Sequence, residues 1–228
     1  MAVVGDHAIV LGASMSGLLA AKVLSDFYRT VTVVDRDDLP DEPVNRRGIP
    51  QGRHVHALLG RGGQIIDELF PGFLRELVDA GGVSLDDGDF SKIFVSIGGH
   101  TVVRSGVSKR PEAAMYLSSR PFLEYHVRRR LRAVPPNVTI LEGHDVVDLI
   151  ATPDRTQVTG VHLASHAGGC EQRLMGDLVV DAMGRGSRTP AFLEGWDTNG
   201  RPRTTSSCTP HTAVSCCASR PALSSRWS

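Results

Sequence analysis

The stretch from His7 to Asp35 constrains this chain more than any other. An apolar run, His7 to Leu11, ends in the turn Gly12-Ala13-Ser14-Met15-Ser16-Gly17. From Met15 to Phe27 apolar residues recur at helical spacing, at Leu18, Leu19, Ala21, Val23, Leu24 and Phe27. A β-branched run, Val31 to Val34, follows and stops at Asp35. A short apolar run ending in glycine reads as a buried strand, and so does a β-branched one. Strand, helix and strand within about 30 residues make a βαβ crossover.

The turn between the first strand and the helix has the spacing of a phosphate cradle. Gly12 permits the tight turn. The next glycine position, occupied here by Ser14, lets backbone approach a pyrophosphate, and a serine hydroxyl can donate to a phosphate oxygen. Gly17 lets helix and strand pack closely. The helix N-terminus then offers its unpaired N–H groups to the anion. Asp35 follows Gly12 at about the 20-residue spacing at which an acid accepts from a ribose hydroxyl. An acid there favours an unphosphorylated ribose, hence FAD or NAD over NADP. An ordinary βα turn with a surface Asp is the plainer alternative, and the ordered series of strand, turn, helix, strand and acid weighs against it. A nucleophile elbow, G-x-S-x-G, is set aside because its fifth position is Ser16 rather than glycine. Gly12, Ala13, Ser14, Ser16, Gly17, Asp35 and the adjoining Arg36 are the candidate cofactor-binding residues.

Beyond Asp35 a polar, proline-containing loop spans residues 36–53. Helices are expected over Val55 to Leu69 and Gly72 to Ala80, broken at Pro71. Ile93 to Ile97 and Thr101 to Arg104 flank Gly98-Gly99 as a hairpin, and Ala114 to Leu117 reads as another strand. Pro121 to Ala133 reads as a helix whose last turns carry Arg128, Arg129, Arg130 and Arg132, a placement that suits the helix dipole. These arginines are expected to be a solvated helix end rather than a nucleic-acid site. Strands are expected at Val138 to Leu141, Val146 to Ala151, Val158 to Ala164 and Leu178 to Ala182. An edge is expected at Arg173 to Gly176 and a short helix at Thr189 to Leu193.

Composition removes several function classes. The 228 residues carry 25 basic and 25 acidic side chains, which argues against a polyanionic partner such as nucleic acid. No run of about 18 apolar residues occurs, so no membrane span is expected. The N-terminus has no basic segment and Asp6 comes early, so it does not read as a signal peptide and a cytoplasmic location is expected. The four cysteines show no zinc or CxxC spacing and read as unpaired thiols. His54 and His56 form an H-x-H pair without accompanying acids, so no metal site is expected.

After Asp35 the chain enters a long detour instead of a second crossover helix. That detour, with the stretch Arg46-Arg47-Gly48-Ile49-Pro50-Gln51-Gly52-Arg53-His54-Val55-His56-Ala57-Leu58-Leu59, resembles the FAD-dependent monooxygenase superfamily. The likeness is to the para-hydroxybenzoate hydroxylase-like and polyprenyl-methoxyphenol-hydroxylase-like flavoproteins. Ser119-Arg120-Pro121-Phe122-Leu123-Glu124 resembles the strand-to-helix step whose arginine reaches the FAD phosphates. Gly143 to Leu149 resembles the strand whose backbone meets adenine, at Val146. Gly176 to Arg188 resembles the family's Asp-Gly region. The resemblance covers about residues 5–196. It implies an α/β fold, a glutathione-reductase-like FAD-binding Rossmann variant with an incomplete antiparallel substrate sheet. Residues 1–196 would be the FAD-binding domain, with part of the substrate domain inserted at about 83–118. The resemblance adds Arg47, Gln51, Arg120 and Val146 to the cofactor-binding set. It further implies NAD(P)H as electron donor and a small organic substrate with oxygen as partners. The flavin would carry the chemistry, so no catalytic side chain is assigned.

Two features depart from the family. Met183 stands where an acid usually precedes Gly184. The later Gly-Asp-Ala segment that holds the rest of FAD does not occur, so a truncated form of such an enzyme is expected. The tail, residues 197–228, is rich in Ser, Thr, Pro, Cys and Arg, shows neither period, and is expected to be disordered. Its composition also fits a frameshifted end of a GC-rich gene. A non-catalytic remnant of a flavoenzyme and an NAD(H)-binding reductase module remain the alternatives.

Overall fold

The computed structural model describes residues 2–54, 56–85, 89, 91, 94, 96–101, 114–169, 171–196 and 215–218. Its strands are β1 (Gly5–Leu11), β2 (Tyr28–Val34), β3 (Ala57–Leu59), β4 (Val83–Leu85), β5 (Ser96–Ile97), β6 (His100–Thr101), β7 (Met115–Leu117), β8 (Val138–Leu141), β9 (His144–Ala151), β10 (Val158–Ser165), β11 (Glu171–Met175), β12 (Leu178–Asp181) and β13 (Ser215–Ala218). Its helices are α1 (Met15–Ser25), α2 (Gly60–Leu69), α3 (Phe73–Asp79), α4 (Arg120–Ala133) and α5 (Thr189–Glu194). The chain divides into two compact units, Met1–Pro40 with Val127–Ser228, and Asp41–His126.

The first unit is built on a five-stranded sheet in the order β13-β12-β1-β2-β8. β1 lies at its centre and pairs in parallel with both β12 and β2. A central parallel strand is covered on both faces, so it must be apolar throughout. Ala8, Ile9, Val10 and Leu11 are accordingly fully buried. Alternation along β1 sends its side chains to two different layers. On one side lies α1, which buries Met15, Gly17, Leu18 and Ala21. On the other, Ile9, Leu11, Val34 and Val179 form one core with Leu149, Val161 and Leu163. Those last three come from β9 and β10 of the antiparallel sheet β11-β10-β9. Phe192, Leu193 and Trp196, in and just after α5, close the same core.

β8 extends the sheet beyond β2, in parallel register from Val31 opposite Val138 to Val34 opposite Leu141. Asn137, just before β8, fixes the α1–β2 connection. Its side-chain amide donates to the carbonyls of Ser25 and Tyr28, both at 2.9 Å. Replacing Asn137 by alanine removes both bonds and is expected to cost about 1–3 kcal/mol, since two partly buried carbonyls lose their donor. Thermal denaturation should show this as a fall in Tm of a few degrees.

Within the second unit β3, β7 and β4 form an antiparallel sheet with β7 in the middle, and β5 and β6 form a hairpin. The hairpin turns at Gly98 and Gly99, both with positive φ (59° and 83°), the conformation that tight two-residue hairpins require. The stretch expected as a substrate-domain insertion, about 83–118, lies inside this unit. Residues 102–113 of it, and residues 93 and 95 of the expected hairpin, lie outside the described residues.

Three local expectations are corrected. The helix expected from Val55 starts at Gly60, because Ala57–Leu59 pair with Leu117–Met115 as β3; Val55 itself is not among the described residues. The arginines near the end of α4 are not all solvated. Arg129 and Arg132 face outward, but Arg128 is buried and donates from Nη2 to the carbonyl of Pro40, which anchors the loop after β2. In the tail, Ser215–Ala218 pair antiparallel with β12 as β13, where the sequence predicts no regular structure. The outer edge of a parallel strand presents unpaired N–H and C=O groups that recruit a partner whatever its side-chain pattern. The rest of the tail lies outside the described residues.

Candidate cofactor site

The carboxyl end of β1 and the N-terminus of α1 meet at the glycine turn. Gly12 has φ +101°, and a Cβ there would lie 2.9 Å from the carbonyl oxygen of Ala182. A Cβ on Gly17 would lie 1.7 Å from the carbonyl oxygen of Gly12 itself. At both positions a side chain would run into backbone, which agrees with a tight turn at Gly12 and close packing at Gly17. The Gly12 N–H donates to the Val34 carbonyl at 2.7 Å, which ties the turn to β2.

Asp35, at the end of β2, is buried. Its Oδ2 accepts from the Ala13 N–H at 2.6 Å and its Oδ1 from the Asp37 N–H at 2.9 Å. The acid therefore braces the second residue of the turn, a role that spacing alone does not reveal. Ser14 stands in extended conformation (φ −91°, ψ −175°) just before α1, and its hydroxyl does not cap the helix. Its carbonyl accepts from the Leu18 N–H at 2.9 Å. Ser16 lies in the first turn of α1, which carries no acidic side chain. The positive end of the helix is thus uncompensated by its own residues, as an anion site needs.

Arg36 points outward and faces Asp145 of β9 at 3.9 Å. Val146 follows Asp145 on β9, the outer strand of its sheet, and packs its side chain against the buried core. Gly12, Ala13 and Asp35 are therefore in direct contact, Ser14, Ser16 and Gly17 continue into the helix, and Arg36 and Val146 flank the acid. A narrow turn, an uncompensated helix N-terminus and a buried carboxylate at the end of β2 fit the pyrophosphate and ribose of a dinucleotide.

Asp181, the last residue of β12, organises the loop beside the turn, a role that the sequence reading does not assign. It is buried, accepts from the Met183 N–H at 2.9 Å, and accepts the Ser187 hydroxyl. Ser187 Oγ in turn accepts from the Thr189 N–H at 3.1 Å. This network shapes the segment whose Ala182 carbonyl abuts Gly12. The usual acid is missing directly before Gly184, but an acid two residues earlier organises the same loop. Its signal was an Asp closing an otherwise apolar strand.

Arg47, Gln51 and Arg120 belong to the second unit. Arg47 and Gln51 are exposed, Gln51 within a 3-10 turn at Pro50–Arg53. Arg120 is the first residue of α4, and its Nε lies 3.7 Å from Glu124 Oε2. The neighbouring arginine is the buried one: Arg46 Nε donates to Glu124 Oε1 at 3.0 Å, with both side chains under one-tenth exposed. Burial, and then the charge of Arg120, hold His56 below the ordinary histidine value, so its imidazole is neutral at pH 7. His54 is exposed. No group of three or more His, Cys, Asp or Glu able to hold a metal occurs among the described residues. No helix among them is long and apolar enough to cross a membrane. Replacing Arg46 by methionine removes one of the two cations at the buried Glu124 carboxylate, leaving Arg120, and is expected to destabilise by about 1.5–3 kcal/mol, whereas Arg47→Met should stay within about 0.5 kcal/mol. Urea unfolding of the two variants measures the difference.

No family model matches the chain. Protein Rv3254 of Mycobacterium tuberculosis is 44% identical over 199 residues, spanning 84% of this chain and 40% of the relative. Among solved structures, PqsL, a probable FAD-dependent monooxygenase from Pseudomonas aeruginosa, superposes with a TM-score of 0.57 at 19% identity, covering 87% of this chain and 48% of its own. p-Nitrophenol 4-monooxygenase PnpA from Pseudomonas putida gives 0.57 at 19% identity, covering 84% and 44%. The myxobacterial halogenase CndH, described as FAD-dependent, gives 0.55 at 19% identity, covering 80% and 38%. The chain spans less than half the length of each of these relatives. Over that span it has the fold of the FAD-dependent monooxygenases and halogenases.

Proposed function

We propose that this chain binds FAD at the Gly12–Gly17 turn, as the cofactor-binding part of a flavin-dependent oxidoreductase of the monooxygenase kind. The observation that carries the reading is the buried Asp35 carboxylate joined to the Ala13 amide, at a turn where neither Gly12 nor Gly17 has room for a side chain. Backbone N–H groups at the start of α1 would hold the pyrophosphate, with Ser14 and Ser16 beside them. Asp35 would accept from the ribose, and Arg36 and the Val146 backbone would border the adenine. For Arg47, Gln51 and Arg120 the family resemblance alone supports a cofactor role. When bound, the flavin supplies the redox and oxygen chemistry, and the protein supplies position and electrostatics. The antiparallel sheet β9–β11 laid on the parallel sheet supports the glutathione-reductase-like variant of the fold. Oxygenation of a small organic substrate, with NAD(P)H as donor, is proposed for a whole protein that contains such a region.

Calorimetric titration tests the choice of dinucleotide. One FAD per chain is expected to bind at least about tenfold more tightly than NADH, a difference of roughly 1.4 kcal/mol. Tighter binding of NADH would replace this reading with a nicotinamide-binding reductase module.

A further inference from the structure

We infer that Asp145 sets the specificity of the turn, by neutralising Arg36 and so denying a 2′-phosphate the cation beside the ribose. The inference rests on the reading of the turn as a dinucleotide site and adds a residue to it. An acid at the end of β2 is the usual device against a 2′-phosphate, and a nearby arginine is the usual device for accepting one. This chain has both, in the adjacent residues Asp35 and Arg36. Arg36 would therefore work against Asp35 unless something held its charge.

The structure supplies that partner. The His144 N–H donates to the Asp35 carbonyl at 3.0 Å, which docks the start of β9 on the end of β2. The residues that follow, Arg36 after β2 and Asp145 on β9, then face each other, with Arg36 Nε 3.9 Å from Asp145 Oδ1. The second oxygen of Asp145 lies 2.9 Å from His166 Nε2, which holds the carboxylate in place from the far side. Arg36 is 66% exposed and Asp145 47%, so both are within reach of a ligand. Asp37 and Asp38 add negative charge to the same loop. Removing the Asp145 carboxylate would free the Arg36 guanidinium for phosphate, a ligand whose geometry it matches, and would remove a repelling charge.

The test measures binding of ADP and of its 2′-phosphorylated form to the full chain. The wild type should prefer ADP. Asp145→Ala should bind 2′-phospho-ADP about two- to fivefold more tightly than the wild type does, the scale of one exposed charge pair, with ADP affinity changed by a smaller factor. The double variant Asp145→Ala/Arg36→Ala should lose the gain. A gain of binding cannot come from misfolding, so the single variant is informative in either direction. If ADP binds but Asp145→Ala shows no gain, or the double variant keeps it, the inference falls and the site reading stands. If the wild type already binds both forms equally, the inference also falls. If neither nucleotide binds any variant, the site reading and the inference fall together.

Discussion

Gly17→Ala is expected to abolish FAD retention and to lower the Tm by about 6–12 °C. The added Cβ would lie 1.7 Å from the Gly12 carbonyl oxygen and 3.3 Å from Val10 Cγ1. The first of these is backbone, fixed at one end by β1 and at the other by the turn, so no rotamer change relieves it. α1 must instead move off the sheet. Overpacking of this kind costs about 1–3 kcal/mol, and a backbone obstacle places it at the upper end. In a chain of this size each kcal/mol shifts Tm by about 2–4 °C. The same displacement separates the helix N-terminus from the turn, so binding should fail even in the folded fraction. Gly168→Ala is the matched control: nothing lies within 4 Å of its added Cβ, and a change within about 0.5 kcal/mol is expected. Thermal denaturation and flavin absorbance on both variants test the contrast. Retained flavin in Gly17→Ala would show that close packing at this position is not part of the site.

Asp35→Ala should weaken FAD binding by about 10- to 150-fold, the equivalent of 1.5–3 kcal/mol for hydrogen bonds to a charged acceptor. Two effects point the same way. The ribose loses its acceptor, and the Ala13 and Asp37 N–H groups lose theirs, so the turn is no longer braced before the ligand arrives. Asp35→Asn separates the two. It keeps one acceptor oxygen, enough to hold one of the two amides. It should therefore fall between wild type and Asp35→Ala in both stability and FAD affinity. Equal affinity for all three proteins would remove Asp35 from the site.

The central βαβ unit was legible because buried parallel strands are continuous apolar runs and the glycine turn has few structural solutions. The parallel strand β12 was legible for the same reason. β3 was not: Ala57-Leu58-Leu59 runs directly into the helical pattern of α2, and only pairing with β7, distant in sequence, makes it a strand. Arg46 and Arg47 are neighbours of one residue type, so nothing in the sequence shows which one meets Glu124. Arg128 was hidden in a basic run whose charge suggested solvent, although its long side chain reaches a backbone carbonyl. Asp35 had the right spacing for a ribose contact, but its bond to the Ala13 amide depends on how the turn folds back over β2. Asp181 was not legible because the resemblance points to an acid adjacent to Gly184, whereas this loop is organised from the end of the strand.

The most direct measurement is the visible absorption spectrum of the purified full chain after soaking in excess FAD and desalting. Retained flavin bands are expected in the wild type, near one equivalent per chain, and their loss in Gly17→Ala. A folded wild-type chain that emerges without flavin would contradict it.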